Sequence, residues 1–215
     1  MILIGMFDSP YVRRVAVSMQ WLDIPFAHRD WSVGKDFERI REFNPLGRVP
    51  TLVLDDGEVL AESAAILDHL DERVGPARAL LPAAGQRRRD ALQLMALATG
   101  AADKAVLQIY ETAFRPDEKR HEPWLDRCRL QVQSALAALE RRAAGNGTGW
   151  LLGTELTQAD VTLGCVLGFL YGSVGVDPER SEYPSLAAFA ARCESSVAFR
   201  AVPVPAFSAP APAPA

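Results

Sequence analysis

Three short segments near the start of the chain carry residue types that could bind or activate a small polar ligand. In Ser9-Pro10, a proline at the first helical position would place the serine hydroxyl at a helix N-terminus. In Val49-Pro50, a cis peptide bond before a β-prone run would leave the Val49 amide and carbonyl free to pair with a peptide-like ligand. Glu62-Ser63 precedes an apolar helical pattern, and the free N–H groups of a helix N-terminus suit a bound carboxylate.

Ser9 also has a purely structural interpretation. Serine is one of the preferred N-cap residues, and a capping hydroxyl only has to accept a backbone N–H of the first turn. For a single serine before a proline, that interpretation would be favoured. The presence of Val49-Pro50 and Glu62-Ser63 in the same domain favours a chemical role for the Ser9 hydroxyl instead.

The elements that must position these segments alternate between strands and helices. The patterns predict strands over Met1–Phe7, Phe26–Trp31, Thr51–Leu54 and Glu58–Leu60, with a hairpin turn at Asp55–Gly57. They predict helices from Pro10 to about Asp23, over Asp36–Phe43 with Phe37 and Ile40 facing inward, and from Ser63 onward. This order of elements is compatible with a thioredoxin-like fold, although the pattern does not distinguish it from other α/β sandwiches.

The β signal disappears after residue 75. We expect a domain over residues 1–75, a linker over 76–86 and an all-helical domain over 87–201. Helices are predicted over Arg87–Phe114, Asp117–Ala144, Gln158–Val174 and Pro184–Cys193. Val202–Ala215 holds five prolines among small residues, so we expect an extended, disordered tail with no role in the core.

Composition excludes several classes of function. The net charge of −4 argues against nucleic acid as a partner, and no apolar run reaches the length of about 20 residues that spans a membrane. The three cysteines and three histidines show no metal-ligand spacing, and the cysteines are interpreted as buried thiols of a reducing compartment. We therefore expect a cytoplasmic protein without a metal.

Three motifs together resemble the glutathione transferase superfamily. They are Ser9–Arg14 (SPYVRR), Asn44–Leu52 (NPLGRVPTL) and Glu62–Ile66 (ESAAI), which match the family in order and spacing. The resemblance covers roughly the first 75 residues well and the helical remainder more loosely. It implies an α/β thioredoxin-like domain followed by an all-α helical bundle, in a serine-type, bacterial-like member that forms a homodimer.

The resemblance also implies roles for individual residues, with glutathione as cosubstrate. Ser9 would stabilise the glutathione thiolate, and Val49, set by Pro50, would hold the cysteinyl part through its backbone. Glu62 would meet the γ-glutamyl ammonium and Ser63 the γ-glutamyl carboxylate.

Other positions are less determined by the motifs. Lys35 and Arg48 are candidate partners of the glycyl carboxylate, with simple surface charge as the alternative. A pocket for the second substrate would be lined by Phe7, Tyr11, Tyr110 and Phe114. For Tyr110 and Phe114, the alternative is that aromatic residues at helical spacing fill the core.

The leading hypothesis is a transferase that adds glutathione to a small, hydrophobic electrophile. Glutathione-dependent peroxide reduction or isomerisation at the same site remains open, as does a binding or regulatory protein without turnover. Thr157 and Asp160 form a capping-box-like helix start, which we interpret as structural.

Overall fold

A computed structural model describes residues 1–173 and 182–205 of the chain. Its first part contains a four-stranded sheet of order β2-β1-β3-β4. The strands are β1 (Ile2–Ile4), β2 (Ala27–Arg29), β3 (Thr51–Val53) and β4 (Val59–Ala61). β1 pairs parallel with β2 and antiparallel with β3, and β3 pairs antiparallel with β4. The helices are α1 (Pro10–Trp21), α2 (Phe37–Arg41) and α3 (Ser63–Val74), so the predicted α/β order is confirmed.

The second part is built from helices, as predicted. They are α4 (Gly85–Phe114), α5 (Glu122–Gly145), α6 (Gln158–Ser173), α7 (Pro184–Ser195) and α8 (Val197–Arg200). α6 is the central element, since it is buried along almost its whole length and contacts α4 and α7 as well as α1 of the first part. The core is therefore continuous between the two halves of the chain.

Two helices, α5 and α2, differ from the prediction. α5 begins at Glu122 and not at Asp117, because Pro123 is tolerated only in the first turn of a helix; Asp117–Lys119 forms a separate 3₁₀ turn. Within α2, Ile40 is buried as expected, but Phe37 is 43% exposed. A five-residue helix can bury only one narrow face, and Ile40 occupies it.

The C-terminal segment enters the core earlier than the prediction allowed. The expectation that the chain from Val202 onward has no role in the core is wrong at its first residue. Val202 is buried, and its carbonyl accepts a hydrogen bond of 2.9 Å from Arg13 Nε. The remainder of the predicted tail from residue 206, and Val174 at the end of the predicted helix Gln158–Val174, lie outside the described residues.

The middle of the predicted linker is hydrogen-bonded to both halves of the chain. The Leu80 and Leu81 amides donate to the Asp71 carboxylate at 2.8 and 3.0 Å, and the Leu80 carbonyl accepts from the Gln158 amide at 2.9 Å. The segment between α3 and α4 therefore bonds to both halves of the molecule. The three cysteines are buried and free, as predicted.

Candidate active site

A cavity of about 760 Å³ lies where the start of α1, the loops around α2 and the C-terminal half of α4 meet. Its volume is within the range of pockets that bind small molecules. Ser9 and Val49 both line it, and so do the basic residues Lys35 and Arg48. The structure thus brings four of the candidate residues to one space, although they come from three separate stretches of sequence.

Ser9 is both the N-cap of α1 and a lining residue of this cavity. Its Oγ accepts from the Val12 amide at 3.4 Å, and Pro10 occupies the first turn. Accepting this long hydrogen bond leaves the hydroxyl proton free to be donated elsewhere. The structural and the chemical interpretations of Ser9 are therefore compatible with each other.

The loop before β3 presents the backbone of Val49 to the cavity. The Val49–Pro50 peptide bond is cis, and neither backbone polar group of Val49 has a partner among the described residues. The buried Asn44 shapes the loop, since its Nδ2 donates to the Arg48 carbonyl at 2.9 Å. Gly5 brings the loop close to α1, because a Cβ there would lie 2.7 Å from Val49 Cβ and 2.6 Å from Val12 Cγ2. The motif of the Asn44 loop is visible in the sequence, whereas the requirement for Gly5 is not.

Glu62 and Ser63 lie at the start of α3, outside the set of residues that line the cavity. Glu62 has a φ of 69°, a left-handed conformation that a non-glycine residue adopts only at a cost. Ser63 is 3% exposed, and its Oγ accepts from Arg14 Nη2 at 2.6 Å. The Ser63 hydroxyl was expected to face a ligand carboxylate, but it already has the buried Arg14 as a partner.

Arg48 connects the cavity to the start of α3. Its Nη1 lies 3.3 Å from Glu62 Oε1, and both side chains are substantially exposed. This ion pair joins two residues that the sequence assigned to opposite ends of the ligand. Lys35 makes no ion pair with any described residue, so its ammonium group remains available to a ligand.

The aromatic candidates divide into two groups. Tyr11, Tyr110 and Phe114 line the cavity, and the rings of Tyr110 and Phe114 meet edge to face at 5.1 Å. Both are about two-fifths exposed, which excludes a core role for them. Phe7 is not among the lining residues, because its ring stacks on His28 at 3.9 Å on the sheet side.

Acidic residues of the cavity were missed by the sequence reasoning. Asp8 and Asp30 follow β1 and β2, and the carboxyl ends of two parallel strands share one edge of the sheet, which is a signal that could have been used. Asp103 of α4 has no local signal. It accepts a hydrogen bond from the Tyr11 hydroxyl, and burial together with this contact raises the pKa of Tyr11, which stays protonated.

The described part of the chain shows neither a cluster of metal-ligating side chains nor a helix with the length and apolarity required to span a bilayer.

Comparison with known proteins decides the family. The sequence profile of the glutathione S-transferase N-terminal domain matches residues 3–78, and that of the glutathione S-transferase C-terminal domain matches residues 122–192. The chain belongs to the glutathione transferase superfamily. These matches confirm the fold that the resemblance implied, a thioredoxin-like domain followed by a helical domain.

Relatives within the superfamily cover most of the chain. A glutathione transferase family member from Pseudomonas fluorescens Pf-5, solved with bound glutathione, is 33% identical and has a TM-score of 0.84, covering 95% of this chain and 98% of its own. A glutathione S-transferase from Methylobacterium radiotolerans, in complex with glutathione sulfonate, is 27% identical with a TM-score of 0.86, covering 100% and 96%. A maleylacetoacetate isomerase from Pseudomonas aeruginosa is 30% identical, covering 72% of this chain and 73% of that protein.

Proposed function

We propose that this protein is a glutathione transferase that activates the glutathione thiol at Ser9 and adds the sulfur to a small electrophile. The observation that carries the proposal is the shared cavity. Ser9, the hydroxyl-bearing N-cap of α1, and Val49, whose backbone has no partner among the described residues, line the same space of about 760 Å³. Solved relatives that hold glutathione or glutathione sulfonate support the choice of ligand.

In the proposed complex, the tripeptide lies along the loop that precedes β3. The Val49 amide and carbonyl pair with its cysteinyl residue, as a strand edge pairs with a peptide. The ammonium group of Lys35, which has no ion pair among the described residues, binds the glycyl carboxylate. Glu62, at the N-terminus of α3, accepts from the γ-glutamyl ammonium, and Ser63 together with the helix end binds the γ-glutamyl carboxylate. When the ligand binds, Arg48 gives up part of its contact with Glu62 and contacts the ligand in its place.

Ser9 would act on the sulfur. A free thiol has a pKa of about 8.5, so only a few per cent is thiolate at neutral pH. A hydroxyl that donates to the sulfur at the positive end of α1 stabilises the thiolate and lowers its pKa. The electrophile would enter along Tyr11, Tyr110 and Phe114, so that catalysis consists of thiolate activation and positioning.

Replacing Ser9 tests the proposal. Ser9→Ala removes the donor, and we expect the pKa of bound glutathione to rise by about one unit and kcat/KM for an aryl chloride to fall about tenfold or more at neutral pH. Ser9→Thr keeps a hydroxyl and should retain much of the activity. Ser134→Ala, on the exposed surface of α5, is the control. The thiolate absorbance of the bound tripeptide, titrated against pH, is the direct measurement, and an unchanged titration in Ser9→Ala contradicts the mechanism.

Two alternative reactions would use the same site. A relative that is a maleylacetoacetate isomerase keeps isomerisation as the second candidate, and peroxide reduction is the third. Assaying a peroxide and a cis-enedione beside an aryl chloride separates them. Failure of the protein to bind immobilised glutathione would instead favour a binding protein of this fold that lacks turnover.

We also propose that the protein is a homodimer, as the family resemblance implies. Light scattering on the eluting peak of a size-exclusion column should then give twice the mass of one chain, and a single-chain mass at micromolar concentration would contradict it.

A further inference from the structure

The cavity contains more acidic than basic side chains. Its charged lining residues are the aspartates Asp8, Asp30, Asp36 and Asp103 and the cations Lys35 and Arg48. Several already have partners within the protein: Asp36 pairs with Arg39, Asp103 with Tyr11, and Arg48 with Glu62. Lys35 is the residue we assign to glutathione. In the described chain, this leaves the carboxylates of Asp8 and Asp30 without an ionic partner, and Asp8 is stabilised only by the backbone N–H groups of Ser9 and of Asp8 itself.

These two carboxylates are close enough to affect each other. Asp8 directly precedes Ser9, and Asp30 directly follows the neighbouring parallel strand β2. Partial burial of Asp8, together with the negative charge of Asp30, raises the pKa of Asp8. A cation placed between the two side chains would relieve both the repulsion and the lost hydration.

Aromatic rings complete this part of the cavity. Trp31 is adjacent to Asp30 in sequence and lines the same space, and Tyr110 and Phe114 line it from α4. The pKa of Tyr110 is raised by burial; the positive charge of Arg48 lowers it in part, and the negative charge of Asp8 adds a smaller upward effect. Carboxylates beside aromatic faces are the combination that binds organic cations, because the rings attract positive charge while tolerating an apolar body.

Bound glutathione strengthens the preference. Its two carboxylates and its thiolate outweigh its single ammonium group, so the occupied site becomes more negative at the point where the second substrate arrives. A second substrate with carboxylates of its own would meet like charge from both the protein and the thiolate.

We propose that the electrophile of this enzyme carries an organic cation, such as an alkylammonium group, which Asp8 and Asp30 hold while its apolar body packs against Trp31 and Tyr110. The proposal rests on the proposed transferase function and deepens it by naming the substrate class. It also disfavours dicarboxylate substrates, and with them the reaction named for the isomerase relative.

Three probes that share a reacting ring and carry a positive, a neutral or a negative substituent test the proposal. They share a 4-chloro-3-nitrophenyl ring and carry, opposite the chlorine, a trimethylammoniomethyl group, a carboxamide or a carboxylate. In each reaction the sulfur of glutathione forms a bond to the ring carbon, chloride leaves with the bonding electron pair, and the thiol proton passes to water. Dividing kcat/KM by the rate constant of the uncatalysed reaction with glutathione removes the difference in intrinsic reactivity.

We expect the normalised kcat/KM to rank cation above amide above carboxylate, with at least about a tenfold span, since a partly exposed charge pair contributes a factor of a few. Asp30→Asn should reduce the cation-to-carboxylate ratio about threefold, and the Asp8→Asn/Asp30→Asn double variant should reduce it further, to the remainder that the charge of bound glutathione contributes. Asp68→Asn makes the same change of net charge on the exposed face of α3 and should leave the ratio unchanged. Added salt should compress the ratio in the wild type.

The outcomes distinguish this proposal from the function on which it rests. If the wild-type protein conjugates the amide but shows no charge ranking, or prefers the carboxylate, the substrate class is wrong and the transferase function stands. If Asp30→Asn and Asp68→Asn change the ratio equally, these carboxylates do not hold the cation. If the wild-type protein neither binds glutathione nor conjugates any probe, both proposals fail. The wild-type ranking is decisive even where a variant does not fold.

Discussion

At the scale of single residues, the backbone of Glu62 adopts a conformation that is unfavourable for a residue other than glycine. Its φ of 69° and ψ of 130° belong to a region that glycine occupies readily and other residues occupy at a cost of about 1–3 kcal/mol. Such conformations persist where the surrounding structure imposes them, and they are enriched at ligand sites. The presence of glutamate at a position suited to glycine is consistent with a binding role for its carboxylate.

Replacing Glu62 with glycine should affect stability and glutathione binding in opposite directions. Glu62→Gln keeps the strained backbone, whereas Glu62→Gly removes the strain, and both lose the ion pair with Arg48. We expect Glu62→Gly to be at least as stable as Glu62→Gln, by up to about 1 kcal/mol after allowing for the greater entropy of glycine in the unfolded chain. Both variants should bind glutathione at least tenfold more weakly. Urea unfolding and calorimetric titration measure the two quantities, and a glycine variant less stable than the glutamine variant contradicts the strain.

Much of the candidate site could be predicted from the sequence because several of its residues lie in short local motifs. Proline, glycine and asparagine fix the loop before Val49, and Ser9 precedes a helix that begins with proline. Contacts between residues far apart in the sequence have no such local motif and could not be predicted. Tyr11 meets Asp103 across 92 residues, and Ser63 meets Arg14 across 49, so neither pairing could be read from a motif.

At the scale of elements, the start of α6 shows how a helix end can be fixed by a buried carboxylate. Asp160 is fully buried and accepts hydrogen bonds from the Leu151 amide at 2.7 Å, the Thr157 amide at 2.8 Å and the Thr157 hydroxyl at 2.7 Å. The sequence predicted a capping box, with threonine as the capping acceptor. In the structure the Thr157 hydroxyl instead donates, and the Asp160 carboxylate accepts from this hydroxyl and from the Thr157 and Leu151 amides.

Asp160 should therefore matter more for stability than Thr157. Thr157→Ala removes one donor and should lower the free energy of unfolding by about 1 kcal/mol. Asp160→Ala leaves two backbone N–H groups without their acceptor in the interior, and we expect a loss of about 3 kcal/mol. Asp126→Ala, on the exposed face of α5, is the control. Neither Thr157 nor Asp160 lines the cavity, so glutathione affinity of the folded variants should be unchanged. Equal losses for the two α6 variants would contradict the assignment.

Element boundaries were predicted best where the signal is local. The hairpin, α1 and α3 follow from turn residues and helical periodicity. The strands are three residues each, so β1, β2 and β3 are shorter than predicted, and β4 is shifted by one residue from the predicted Glu58–Leu60. Phe37 was misplaced because a short helix has no reliable periodicity, and its orientation is set by packing against Gly47, where a Cβ would collide with the ring.

At the scale of the whole molecule, α6 joins the two halves through glycines. A Cβ on Gly164 would lie 2.8 Å from Cys193 Sγ, and one on Gly168 would lie 2.8 Å from Arg13 Nη1. These close approaches allow Arg13 of α1 to reach α7 and the C-terminal segment. The guanidinium donates to both oxygens of Glu194, at 2.6 and 2.8 Å, and its Nε donates to the Val202 carbonyl. The helix that presents Ser9 is therefore anchored by residues almost 190 positions away.

This anchor should be far stronger than a surface ion pair, because its two members differ in burial. Arg13 is 1% exposed and Glu194 is 42% exposed, so removing the acid leaves a buried cation with little compensation. Glu194→Gln should lower the free energy of unfolding by about 2 kcal/mol, below the 3–5 kcal/mol typical of fully buried pairs since Glu194 reaches solvent. Glu122→Gln breaks the exposed pair with Arg129 and should cost less than about 0.5 kcal/mol. Urea unfolding of both variants measures the two losses. Equal small losses in the free energy of unfolding would mean that water replaces Glu194 as the partner of the guanidinium, and that α1 does not depend on the C-terminal segment for its position.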